Sequence, residues 1–153
     1  MATEISLATL RDAEELGATM READALEVQA IGGFTPYEAV ALSIQASRGK
    51  AWSLRYRGRL VAVFGVTEVS LLSGVGQPWA LTSREVDRIP KEYMVASRKI
   101  TKVLRARYSL LITTIDARYT KALKWAKALG FTVHPFTPYG EAGIHFVSMK
   151  GDR

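Results

Sequence analysis

The sequence predicts an α/β fold: a mixed central sheet with helices on both faces. Three observations lead there. Strand-like and helix-like stretches follow one another in the order β-α-α-β-β-β-α-β-α-β-β, which a sheet covered on two sides satisfies. "SLLITTIDA", from Ser109 to Ala117, is β-branched and almost wholly apolar, as in a strand buried on both faces. Directly after it, "RYTKALKWAKALGF" reads as a helix stopped by Gly130, with Phe131 to plug its base.

The elements can be justified in order. "EISLATL" (4–10) alternates Ile5 and Leu7 and predicts a strand. One helix is predicted over about 12–30, with Leu16, Met20, Ala23 and Leu26 as an imperfect apolar stripe and the glycines of "IGGF" as its end. "TPYE" starts the next helix: Thr35 caps, Pro36 takes the first helical position, and Glu38 completes a capping box. Val40 and Ile44 mark its buried face, and Gly49 ends it. "AWSLRY" and "LVAVFGV" flank "RGR" and predict a hairpin turned at Gly58. A glycine-rich bend and a short strand near Trp79–Leu81 follow. A helix opens at Pro90, with Met94, Ile100, Val103 and Leu104 expected inside. The strand at 109–115 is expected inside the sheet, the helix at 118–129 packs on it, and "FTVHPF" and "GIHFVSMK" supply the last two strands.

At 153 residues the chain is read as one domain, 1–153. A chain of this length buries roughly 68–70% of the surface its unfolded form exposes. No apolar run approaches the ~18–20 residues of a membrane span. "MATEISLATLRDAEELG" lacks a basic segment followed by an apolar one, so no export signal is read and a cytoplasmic location is expected. There is no cysteine, which excludes disulfides, thiolate zinc sites and a cysteine nucleophile. Two histidines, His134 and His145, are too few for a metal cluster, and no metal is expected. The net charge of +6 is uneven: Arg84 to Lys127 holds twelve Lys/Arg against four Asp/Glu, a local +8 on a chain whose remainder is −2. Such a surface suits an anionic partner, whether coenzyme-A phosphates, nucleic acid or an acidic protein, or is simply a pair of solvated basic helix faces.

The element order, with Ala122, Leu123, Leu129, Gly130 and Phe131 in "ALKWAKALGF", resembles the GNAT superfamily of N-acetyltransferases over nearly the full chain. A narrower resemblance is carried by "VAVFGV…SLLSGVGQPWAL" and "DARYTKALKWAKALGFTVHP", which look like the phage family called internal virion protein A, with Tyr119 where that family has asparagine. That family is acetyltransferase-like in fold and takes part in virion assembly. The resemblances imply two functions. One is a catalytically degenerate, acetyltransferase-like component of virion assembly or internal virion structure, found in the host cytoplasm or the virion and partnered by other virion proteins. The other is an acetyl-CoA-dependent N-acetyltransferase acting on an amine, including a protein amine.

In active superfamily members a glycine-containing loop presents backbone N–H groups to the cofactor pyrophosphate at a helix start. The corresponding stretch here, "LTSREVDRIPKEY", holds no glycine; Thr82 and Glu85 are read as a capping box, and Pro90 removes one N–H. Glu85 and Asp87 oppose an anion there, and Arg84, Arg88 and Lys91 are the candidate cofactor-binding residues, acting through side chains. The family's general acid, a tyrosine in the last helix, falls on Ala126, with Trp125 beside it; Tyr93, Tyr108, Tyr119 and Tyr139 lie elsewhere. Glu68 and His134 are the candidate catalytic bases, with Glu141 and His145 as further ones. The ridge of Arg118, Lys121, Lys124 and Lys127 is expected outside, so the last helix closes a core and leaves nucleic acid as a further partner of the basic helices.

Overall fold

In the computed structural model, which describes residues 2–70, 72–139 and 143–153, seven strands form one sheet in the order β1-β2-β3-β4-β5-β7-β6. The strands are β1 Thr3–Leu7, β2 Ala51–Tyr56, β3 Arg59–Ser70, β4 Val75–Thr82, β5 Leu110–Asp116, β6 Thr132–Thr137 and β7 Ile144–Lys150. The helices are α1 Leu10–Thr19, α2 Glu22–Gly32, α3 Pro36–Ala46, α4 Pro90–Arg107 and α5 Thr120–Leu129. β1 to β3 pair antiparallel, β4 and β5 pair parallel, and β7 runs antiparallel to both β5 and β6. The mixed α/β sheet expected from the sequence is therefore present, and β5 is interior, as its apolar run requires. Its burial is less complete than expected: Leu111, Ile115 and Asp116 are buried, and the other residues are half-buried.

The chain divides into two compact units, Met1–Thr67 with Trp79–Glu92, and Glu68–Pro78 with Tyr93–Arg153; β3 and β4 contribute residues to both. The core of the first unit gathers Ala13, Leu16 and Met20 from α1 and its end, Ala39, Val40 and Ala41 from α3, and Leu60, Val63 and Leu81 from the sheet. Thr9 and Asp12 form a capping box that starts α1, and Thr35 with Glu38 forms the predicted one on α3. The single helix expected over 12–30 is two helices. Met20 leaves helical geometry at ψ 137° and bridges Ser83, while the Arg21 N–H donates to the Thr82 carbonyl at 2.9 Å. A continuous helix would bury those backbone groups internally; the break spends them on the end of β4.

In the second unit α4 turns Tyr93, Ala96, Ser97, Ile100, Thr101, Leu104 and the following Tyr108 inward or half-inward. Val103, expected inside, is 59% exposed, at the edge of the buried stripe that runs through positions 96, 97, 100/101 and 104. Ala126 of α5 packs with Ile115 and Val147, and Tyr119, Ala122, Leu123, Trp125, Phe131 and Val133 close over them. Phe131 therefore joins the base of the core as its place after Gly130 suggests. Gly130 has φ 103°, and its N–H caps α5 on Lys127 and Ala126. Gly130→Ala is expected to destabilise by about 1 kcal/mol or more, because a Cβ is strained in the left-handed region. The check is the urea midpoint, which should fall at constant slope.

Candidate functional site

The connection from β4 to α4, within the first unit, is built from hydrogen bonds that the local sequence only half announces. Ser83, at the end of β4, donates its N–H to Val61 at 2.8 Å and its hydroxyl to the Leu60 carbonyl at 2.6 Å. The same hydroxyl accepts from the Glu85 N–H at 3.2 Å and starts a 3-10 turn over Arg84–Arg88. The expected cap on Thr82 is thus corrected to Ser83. Thr82 is otherwise engaged: its N–H and its hydroxyl both donate to Oδ2 of Asp24, a carboxylate only 2% exposed. Since the Ser83 N–H faces β3, the Thr82 N–H and carbonyl face the opposite edge of β4, and there Asp24 and Arg21 take both.

The turn consumes its own donors. The Val86 N–H donates to Ser83 at 3.2 Å and the Ile89 N–H to Val86 at 3.3 Å, while Pro90 has none. The backbone cradle that a glycine loop offers a diphosphate is therefore replaced by a closed turn. Side chains tell a different story. The two carboxylates of the turn are neutralised from elsewhere in the same unit: Asp87 pairs with Arg21 at 2.6 Å and Glu85 with Arg59 at 3.3 Å. The exposed cations Arg84, Arg88 and Lys91 remain around the start of α4. Arg84 reaches only the Ala18 carbonyl, at 3.5 Å, and the 71%-exposed Arg88 stands 4.0 Å from Glu85. Arg84 and Arg88 thus lie on the 3-10 turn and Lys91 in the first turn of the 18-residue α4. Glu85 and Asp87, expected to oppose an anion there, are already paired.

The remaining candidates belong to the second unit. Glu68, late in β3, accepts from the Tyr108 hydroxyl at 3.3 Å. Burial pushes the Tyr108 phenol up, so it stays protonated and can donate. His134 is exposed, at the irregularity between Val133 and Phe136 in the β6–β7 pairing, and its Nε2 lies 2.6 Å from the Ser148 hydroxyl. His145 Nδ1 lies 2.8 Å from the His134 carbonyl, which only accepts, so that nitrogen carries the proton. Glu68 on β3 is thus held by Tyr108, which follows α4, and His134 on β6 by Ser148 of β7. Glu141 lies outside the described residues. Ala126, in the place of the expected tyrosine, is 2% exposed. Trp125 beside it donates its indole N–H to Ser97 at 3.1 Å and stacks on Tyr93 at 5.8 Å, which ties α5 to α4. Sequence reasoning missed that clamp and the Asp24–Thr82 contact, because neither has a local signature. Arg118 also departs from expectation. It lies before α5 and grips Asp116 through its backbone N–H, Nε and Nη2 at 2.8–3.1 Å. Those contacts, the side chain first, hold the Asp116 carboxyl below its usual range despite burial. The outward ridge of α5 is then Lys121, Lys124 and Lys127.

Among the described residues no group of three or more His, Asp or Glu could hold a metal ion, and no helix is long and apolar enough to cross a membrane. No protein-family model matches the sequence, and no curated protein matches it. The narrower resemblance to internal virion protein A therefore rests on its sequence motifs alone. Solved structures do match, along the whole chain. An acetyltransferase of the GNAT family from Bacillus anthracis is 11% identical, with a TM-score of 0.73 over 100% of this chain and 97% of that one. Salmonella typhimurium yncA, solved with acetyl-CoA, is 14% identical with a TM-score of 0.69 over 100% and 96%. A spermidine N-acetyltransferase chimera of Vibrio cholerae SpeG and hSSAT is 7% identical with a TM-score of 0.72 over 98% and 96%. At these identities the likeness is one of architecture, and it says that this chain has the fold of the GNAT acetyltransferases.

Proposed function

We propose that the chain binds a coenzyme-A thioester at the start of α4 and passes its acyl group to an amine. The observation that supports this is the trio Arg84, Arg88 and Lys91, left exposed on a turn whose own acids are paired with Arg21 and Arg59. The residues fit a diphosphate through side chains rather than through backbone donors. A thioester held there would supply an activated acyl carbon, and its C–S bond would be exchanged for a C–N bond to the amine. The nitrogen would shed a proton, for which Glu68 and His134 are the candidate acceptors, and the leaving sulfur would be protonated by water, since Ala126 has no proton to give. Two of the matched structures bear on the reading: one holds acetyl-CoA and another is named for spermidine, a polyamine.

The experiment is a calorimetric titration with acetyl-CoA. Micromolar binding is expected, and Arg84→Gln with Arg88→Gln should weaken it about tenfold or more, since hydrogen bonds to charged groups contribute about 1.5–3 kcal/mol each. Silence at millimolar ligand overturns the reading. It would leave the second one, a noncatalytic component of virion assembly built on the same fold. Three observations support the noncatalytic part of that alternative: the Glu85, Val86 and Ile89 amides are spent within the turn, Asp24 and Arg21 take the edge of β4 at Thr82, and Ala126 stands in the place of the acid.

A further inference from the structure

We infer that the outer faces of α4 and α5 form a docking plate for the phosphate backbone of a nucleic acid. Apart from Lys91 of the trio, the two helices carry eight lysines and arginines against a single glutamate, Glu92. They touch where Trp125 of α5 stacks on Tyr93 and donates to Ser97, both on α4. On α4, Arg98, Lys99 and Lys102 stand opposite the buried stripe of Ala96, Ser97 and Leu104, and all three are exposed. On α5, Lys124 and Lys127 are exposed on the side away from Ala126. None of these five forms an ion pair among the described residues. At ~1.5 Å per residue, Arg98 and Lys102 are separated by about 6 Å along the helix axis.

The composition of this face selects the partner. Protein interfaces are enriched in aromatic anchors and depleted of lysine. Here the cations are mostly lysines, the one tryptophan of α5 is turned to α4, and the exposed large apolar residues on α4 are two valines, Val95 and Val103. A face rich in cations and poor in anchors reads charge rather than shape, which is what sequence-independent phosphate binding needs. The plate is separate from the Arg84, Arg88 and Lys91 trio, so it stands or falls independently of cofactor binding.

The test is fluorescence anisotropy of a labelled, mixed-sequence DNA duplex with the full chain over a series of salt concentrations. Binding at low salt is expected, with log affinity falling against log salt at a slope of about −3 to −4, as three to four neutralised phosphates require. Arg98→Gln, Lys102→Gln and Lys124→Gln together should lower affinity at least tenfold and flatten the slope, at an unchanged thermal midpoint. Arg84→Gln with Arg88→Gln should leave duplex binding as it is. No binding at low salt, a slope that the triple variant does not change, or polyglutamate bound as tightly as the duplex would each overturn the inference, the last in favour of an acidic protein.

Discussion

Gly65→Ala is expected to destabilise the fold by about 2–3 kcal/mol, the upper part of the range for overpacking a filled core. Gly65 lies in β3, where an added Cβ would stand 2.6 Å from the Lys50 carbonyl oxygen and 2.9 Å from the Trp79 ring. Neither neighbour can step aside cheaply. The Lys50 carbonyl accepts from the Val66 N–H at 3.1 Å, so moving it breaks the hydrogen bond at the next residue of the strand. Trp79 is held by its indole N–H on Ser47 at 2.8 Å, and the Ser47 hydroxyl in turn donates to Ser43 at 2.8 Å. A urea titration of the variant should show a lower midpoint at unchanged slope. Adding Trp79→Leu should recover part of the loss if the ring is half of the clash, and a double-mutant cycle reads that coupling directly. A loss below 0.5 kcal/mol, the size of an ordinary surface change, would mean the strand relaxes freely at this point.

The same contact explains two motifs that stood out in the sequence. The Phe-Gly of "VAVFGV" and the Pro-Trp of "GQPWAL" are two sides of one close approach, with Trp79 lying over Gly65. Their presence was legible, and their meeting was not, because nothing local links residues 65 and 79. The split divides the rest of the fold in the same way. Thr35 with Glu38 and the stop at Gly130 act within a few residues of themselves, and both stand as read. The break at Met20 and the shift of the turn's cap from Thr82 to Ser83 answer to partners far along the chain, the Asp24–Thr82 pair being 58 residues apart. At the candidate site the charge of Arg84, Arg88 and Lys91 and the missing glycine could be read directly. The pairing of Asp87 with Arg21 and Glu85 with Arg59 could not, and it alters the electrostatics, because it cancels the acids that would otherwise oppose an anion. Trp125 had no local cue for its contact with Ser97, since helical periodicity fixes a face and not the neighbour that face meets.

Asp12→Ala is expected to cost about 3 kcal/mol at neutral pH, since removing one member of a buried charged network leaves its partners unsatisfied. Asp12 is the third residue of α1 and does three jobs with one carboxylate. Its Oδ2 accepts from the Thr9 N–H at 3.0 Å and from the Ser53 hydroxyl at 2.8 Å, while Oδ1 accepts from Arg55 at 2.9 Å. Ser53 is fully buried, so without Asp12 its hydroxyl loses the acceptor it has in the core. Arg55 keeps Glu15 at 3.0 Å and is only partly stranded. Burial pushes the Asp12 carboxyl upward, but the hydrogen bonds from Ser53, Thr9 and Arg55 outweigh it and hold the group below its ordinary value of 3.8. The unfolded chain therefore binds the proton first as pH falls. The stabilisation is fully present above the unfolded value and is lost as the solution is acidified through it toward the lower folded value. Unfolding free energies of wild type and Asp12→Ala, measured from neutral pH down to about pH 3, should converge with acidification, and the wild type should lose more stability over that window. Asp116, held low by Arg118, contributes an acid loss of the same sign to both proteins and cancels from the difference. A gap that stays constant down to the lowest pH would assign the effect of Asp12 to the shape of its cap rather than to its charge.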